Sequence, residues 1–312
     1  MAPQESSLNP EALGWLIISS VRSKRENRPH PPWACPISVR IGNIRSVTQM
    51  MTQEEMNILV PQKLREIEKS HGVRTLYSAE SGSRAWGFAS PDSDFDVRFI
   101  YIRPRNDYLR LNEIRDVIEM PIDDTWDVSG WDLKKTLRLL WKANPTIYEW
   151  MQSQIRYVAS DFDKRFAPLL REYFCQKSMM YHYYHMAGNN IRTFLKGKEA
   201  VKPKKYFYAL RPILACLWIL ENNSAPPLLY ADLVEAQLPA GLRSVNQELL
   251  EMKVSLPEGA EIQPVKAIDG FLDSQIEQLG EYLRQLPDFK PKSWDALNQF
   301  FLSELDRMEQ AT

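Results

Sequence analysis

The chain has 312 residues, 44% of them hydrophobic and 25% charged, with a formal net charge of −1. That length can bury a sizeable core and hold two domains, and the composition is that of a soluble globular protein. A balanced charge excludes a molecule-wide basic field for nucleic acid, so any such surface has to be local. Three cysteines, Cys35, Cys175 and Cys216, are odd in number and lack metal-ligand spacing, which points to reduced thiols and a cytoplasmic setting. The apolar run 13–21 is too short to span a bilayer and follows no basic leader, so no membrane partner is expected.

Residues 1–50 read differently from the rest. Prolines and basic residues alternate over 22–45 with neither helical nor strand period, a composition that offsets little ordering entropy. The segment is expected to be a disordered or extended tail ahead of Met50 or Met51 rather than a targeting or RNA-binding arm built on Arg22, Lys24, Arg25 and Arg28, because Glu5, Glu11 and Glu26 spoil a targeting pattern. Organised structure begins at Thr52-x-x-Glu55, a capping box. Pro61 is expected to interrupt or restart that helix, with Leu64 and Ile67 on its apolar face and Gly72 as its stop. A strand over 73–79 then runs into the turn Gly82-Ser83, whose backbone N–H groups and hydroxyl suit a phosphate. Ten residues on comes Asp94-x-Asp96 at the start of a second strand. Alternation with period two places Asp94, Asp96, Arg98 and Ile100 on one face and Phe95, Val97, Phe99 and Tyr101 on the other. Two carboxylates at i and i+2 on a strand make a hard oxygen site suited to Mg²⁺.

A polar connection over 103–111 leads to a further strand in 114–120 and a turn at 121–124. Residues 125–131 read as a strand feeding a helix over 132–142, with Asp127, Ser129 and Trp131 sharing a face and Asp132 at the helix N-cap. Beyond 161 the period is helical. His182 and His185 lie three apart, yet no Glu or Cys completes a zinc set nearby, so packing accounts for them. A helix over 204–221 has an apolar body, a basic beginning in Lys202, Lys204, Lys205 and Arg211, and Pro212 inside it, which is expected to kink it or cost a hydrogen bond. Helices follow over 230–237, 246–253, 268–286 and 294–308.

Gly82-Ser83 with Asp94-Phe95-Asp96-Val97 resembles the signature of the DNA polymerase β-type nucleotidyltransferase superfamily: Gly-Ser, a short spacer, then Asp-x-Asp flanked by apolar residues. The stretches 82–88, 131–135 and 204–212 resemble more narrowly the RNA-ligase-associated, YcgL-like group of nucleotidyltransferases, and together they span about 52–290. The resemblance implies an α/β (α+β) nucleotidyltransferase domain with a mixed sheet over 52–155 and an all-helical C-terminal domain over 156–312. It implies an enzyme moving NMP from an NTP such as ATP to a hydroxyl, with release of pyrophosphate. Asp94, Asp96 and Asp127 would be the catalytic and metal-binding carboxylates for two Mg²⁺ ions, or Mn²⁺ in their place. The family sets its third carboxylate on a strand before a helix, which suits Asp127 and leaves Asp132 as the competitor. Gly82, Ser83, Arg84, Lys204, Lys205 and Arg211 would face the triphosphate, though Arg84 could equally pair with a carboxylate. The acceptor stays open among RNA, a protein hydroxyl and a small molecule.

Three other readings use the same residues. Asp92-x-Asp94-x-Asp96 opens like an EF-hand loop, but that loop needs Gly and Glu where this chain has Val97 and Arg103. A metal-dependent nuclease or phosphatase would cluster carboxylates without needing the Gly-Ser turn. A catalytically silent nucleotide-binding or partner-regulating protein of the same fold is the main alternative.

Overall fold

Thr52 opens the first helix by accepting from the Glu55 N–H at 3.2 Å, while the Glu55 carboxylate accepts from the Thr52 N–H at 2.7 Å. This reciprocal cap starts α1 (Gln53–His71), and Gly72, at φ +62°, closes it in the left-handed region. The structure, a computed structural model, describes residues 51–310 apart from Asp92, 121–125, Ala159, Glu258, Phe289 and Pro291. The expected N-terminal tail, the turn at 121–124 and the first aspartate of the EF-hand reading therefore lie outside the described residues. Residues Gln49–Thr312 form one compact unit; the other unit, Met1–Thr48, also lies outside them.

Pro61 does not break α1: the helix runs unbroken through it. Met56, Val60, Leu64 and Ile67, on both sides of the proline, are all buried against the sheet. Burial of that stripe outweighs one lost backbone hydrogen bond. The strands are β1 (Arg74–Glu80), β2 (Phe95–Ile102), β3 (Val117–Glu119) and β4 (Trp126–Asp132), and their order across the sheet is β1-β2-β4-β3. β1 and β2 are antiparallel, β2 and β4 parallel, β3 and β4 antiparallel, so the sheet is mixed. Between β1 and β2 lies the short helix α2 (Gly82–Ala85), and α3 (Arg105–Tyr108) interrupts the polar connection after β2.

The two faces of the sheet bury different partners. Val97, Phe99, Tyr101 and Val128 pack under α1, whereas Ile100, Ile102 and Trp131 enter the larger core shared with the helical region. The helices that follow β4 are α4 (Leu133–Trp141), α5 (Pro145–Gln152), α6 (Phe162–Glu172), α7 (Gln176–Asn190), α8 (Pro203–Asn222), α9 (Tyr230–Gln237), α10 (Ala240–Ser255), α11 (Lys266–Gln285) and α12 (Asp295–Gln310). The protein is thus an α/β part with a mixed sheet followed by helices. A π-helical turn, Ile191–Leu195, ends α7. α10 begins six residues earlier than its apolar pattern suggests, and α8 continues through Pro212, whose neighbours on every side are buried. Asp96 and Arg98 stand on the β2 face turned toward the helices, ahead of the fully buried Ile100.

Candidate active site

Strand register builds the centre of the site. In the parallel pairing of β2 with β4, Asp96 lies opposite Asp127 and Tyr101 opposite Asp132. The two candidates for the third carboxylate are therefore separated along β4, and Asp127 is the one beside Asp96. Asp132 instead caps α4, accepting from the Lys134 N–H at 2.8 Å and from the Tyr108 hydroxyl at 3.1 Å. Burial pushes its carboxyl up to about 6, against the opposing pull of those donors and of Arg103.

Gly82 makes the second element of the site. Its φ of +60° is left-handed, and an added Cβ would stand 2.0 Å from Asp96 Oδ2. Any side chain here would push the carboxylate away, so the Gly-Ser turn and Asp96 are packed backbone to side chain. The Ser81 N–H donates to the Asp96 carbonyl at 2.8 Å, and Ser83, half-buried, follows in the single turn of α2. Arg84 is held by backbone carbonyls and a ring. It donates to the carbonyls of Ser93 at 2.6 Å and Asp94 at 3.2 Å and lies over the Phe95 ring at 3.7 Å, fastening the loop before Asp94 to α2.

Arg98 and Glu80 belong to the site and were not singled out from the sequence. Arg98 Nη2 donates to Asp96 Oδ1 at 3.0 Å and to Asp127 Oδ2 at 2.8 Å. Its presence on the aspartate face was legible from strand alternation, but the partnership with Asp127 needed the register. Glu80, 1% exposed, ends β1 and accepts from the Asp96 backbone N–H at 2.7 Å and from the Tyr157 hydroxyl. Burial pushes its carboxyl up to about 7. Nothing in the sequence pairs Glu80 with Tyr157, which arrives because residues 155–157 bridge to the edge of β1. Burial also raises the Asp96 carboxyl; Arg98 opposes this, while Asp127 and Asp94 add to it.

The donor chemistry fits a hard divalent cation: Asp94, Asp96 and Asp127 are carboxylates with no competing soft ligand. As the side chains stand, no three His, Cys, Asp or Glu residues among the described residues gather around a metal-sized space, and Arg98 lies between Asp96 and Asp127.

The basic residues of α8 divide. Lys204 and Lys205 stand in its first turn, with Lys205 over the Phe194 ring at 3.6 Å and 5.3 Å from that of Tyr208. Tyr208 meets Trp86 edge-on at 6.3 Å, and Phe207 meets Phe88 at 5.3 Å, so α8 packs on the segment that follows the Gly-Ser turn. Arg211, expected among the phosphate-facing cations, is instead 2% exposed, bonded to Glu149 at 2.9 Å and over the Trp86 ring at 4.5 Å. Its charge is matched by Glu149, and it joins α8 to α5 and to Trp86. His182 and His185 lie among tyrosine rings of α7, and burial lowers the pKa of both. Among the described residues no helix is long and apolar enough to cross a membrane.

The protein YcgL of Bacillus subtilis (strain 168), which is uncharacterized, is 41% identical over 248 residues, covering 79% of this chain and 95% of that one. A solved structure, the nucleotidyltransferase-like protein from Exiguobacterium sibiricum 255-15, aligns over 72% of this chain and 74% of that one. Its TM-score is 0.27 and its identity 13%, too low for the alignment to assign any residue. The sequence profile of the RNA repair pathway DNA polymerase beta family matches residues 56–303. The chain belongs to that family.

Proposed function

We propose that this protein is a metal-dependent nucleotidyltransferase that moves an NMP from an NTP to a hydroxyl acceptor and releases pyrophosphate. Family membership supports nucleotidyl transfer in general. The observation that carries the fuller reading is the contact of Gly82 with Asp96, in register with Asp127. It joins a turn rich in backbone donors to a pair of carboxylates, which is what a triphosphate with its counter-ions requires.

In this reading Ser83 and the amides beside Gly82 hold the β- and γ-phosphates, with Lys204 and Lys205 supplying positive charge from α8. Asp94, Asp96 and Asp127 would hold one or two Mg²⁺ or Mn²⁺ ions. When bound, such ions neutralise charge at the α-phosphate and lower the pKa of the attacking hydroxyl. The acceptor oxygen forms its bond to the α-phosphorus as the bond to the bridging oxygen breaks, and the hydroxyl proton is lost to solvent or base. Glu80 keeps the Asp96 backbone fixed, and Arg84 does the same for the loop at Asp94, so the carboxylates are presented from rigid positions. Arg211 and Asp132 have structural duties and no part in transfer. In this reading the active cleft would lie between a nucleotidyltransferase domain (52–155) and a helical domain (156–312).

The family's description concerns an RNA repair pathway, so RNA is the acceptor to try first. The test is incubation with each α-labelled NTP and Mg²⁺ against pools of RNA, protein and small metabolites. Label on one pool, with pyrophosphate formed in equal amount, is the expected result. NTP binding without label on any pool would favour the silent nucleotide-binding alternative.

A further inference from the structure

Arg98 is the residue for which the proposed chemistry has no use. It follows Asp96 by two on β2 and shares its face. A single nitrogen, Nη2, lies 3.0 Å from Asp96 Oδ1 and 2.8 Å from Asp127 Oδ2. Nη1 donates to the carbonyls of Val97 at 3.1 Å and Asp127 at 2.7 Å, so the guanidinium has four acceptors. The side chain is only 11% exposed. Asp96 has little room to answer with its other oxygen, since Oδ2 is packed against the Gly82 backbone. The nitrogen thus stands where an ion shared by these two carboxylates would have to stand.

We infer that Arg98 is a resident counter-cation, which holds Asp96 and Asp127 together and must be displaced for a divalent cation to bind both. This rests on the reading of Asp96 and Asp127 as metal ligands. The physical basis is competition. Two partly buried carboxylates in register repel each other, and a cation between them relieves that repulsion. A guanidinium stays charged at any working pH, so only another cation can replace it. Its two carbonyl bonds must break as it leaves, which adds to the cost of ion entry. Arg98 is therefore a positioning residue that sets metal affinity.

The test is Mn²⁺ binding to the full chain without nucleotide, followed by electron paramagnetic resonance and calorimetry. Wild type is compared with Arg98→Met, Arg98→Lys and Asp96→Asn, and thermal midpoints are taken with and without Mn²⁺. Arg98→Met keeps most of the aliphatic length and removes the charge. It should bind Mn²⁺ about tenfold tighter or better, since one opposing unit charge beside the ion has gone. Its midpoint without metal should fall and its Mn²⁺-induced rise should exceed that of wild type. Arg98→Lys should lie between, because one ammonium cannot serve four acceptors at once; it also decides the matter if the Met variant fails to fold. Equal or weaker Mn²⁺ binding by these variants, with wild-type binding still lost in Asp96→Asn, would overturn the competition and leave the metal reading standing. No Mn²⁺ binding by wild type or either Arg98 variant would overturn both.

Discussion

Gly82 shows how much of the site depends on one missing side chain. Its left-handed φ of +60° disfavours any L-residue, and the space beside its Cα is already filled by Asp96. Gly82→Ala should therefore cost about 1–3 kcal/mol of stability and displace the carboxylate. A misplacement on that scale should lower nucleotidyl transfer about 10²-fold. Equilibrium unfolding and steady-state rates on the purified variant check both. Wild-type activity in a folded Gly82→Ala protein would mean that the turn does not press on the chemistry. Glu80 and Arg84 matter in a different way: they bond backbone groups of Asp96, Ser93 and Asp94, among other partners, and so fix where the aspartates start from.

Among the elements, β4 does most to assemble the site, since it sets Asp127 beside Asp96. An added Cβ at Gly130 would meet the Phe99 ring at 2.2 Å, and Phe99 on β2 is fully buried. The ring fills the space that the glycine leaves, which locks the register that sets Asp127 beside Asp96. Gly130→Ala should destabilise the fold by about 1–3 kcal/mol through overpacking, measured as a lower midpoint in urea. At the far end of β4, Asp132 provides a pH signature. Its carboxyl is raised by burial from 3.8 to about 6, so the folded state holds the proton more tightly than the unfolded chain. The favourable contribution is thus full below pH 3.8 and is lost as pH rises through about 6. The loss amounts to about 3 kcal/mol at most. Asp132→Asn should flatten the fall in stability over that interval while keeping a cap acceptor for Lys134. An unchanged slope in the variant would show that Asp132 is not its source.

At the scale of the molecule, α12 is bound back to α6 by a buried ion pair. Arg165 donates to Glu304 at 2.7 and 2.8 Å, and Glu304 is 1% exposed. Among the described residues, Arg165→Ala leaves that carboxylate with Arg307, whose nitrogen is 3.6 Å away. It should destabilise by about 3 kcal/mol, and Glu304→Met in the same chain should restore most of the loss. Thermal midpoints of the two variants decide it.

The fold class came through the resemblance carried by Gly82-Ser83 and Asp94-x-Asp96, whereas strand alternation, the Thr52 cap and the apolar helical stripes are local signals. The approximate limits of β1, β2, β4 and most helices followed from them. Long-range arrangement was not legible. Glu80 finds Tyr157 and Arg98 finds Asp127 only once the sheet order and register exist. Arg211 reads as a surface cation until Glu149 and Trp86 are seen to enclose it. Pro61 misled for the related reason that a buried stripe overrode a local penalty. The central claim concerns Asp96 at the meeting point of turn and strands, and the most direct measurement is label transfer from α-labelled NTP by wild type and Asp96→Asn. The account predicts at least ~10³-fold slower transfer by the variant, about 4 kcal/mol of transition-state stabilisation, with folding retained. Near-wild-type transfer by Asp96→Asn in Mg²⁺ would contradict it.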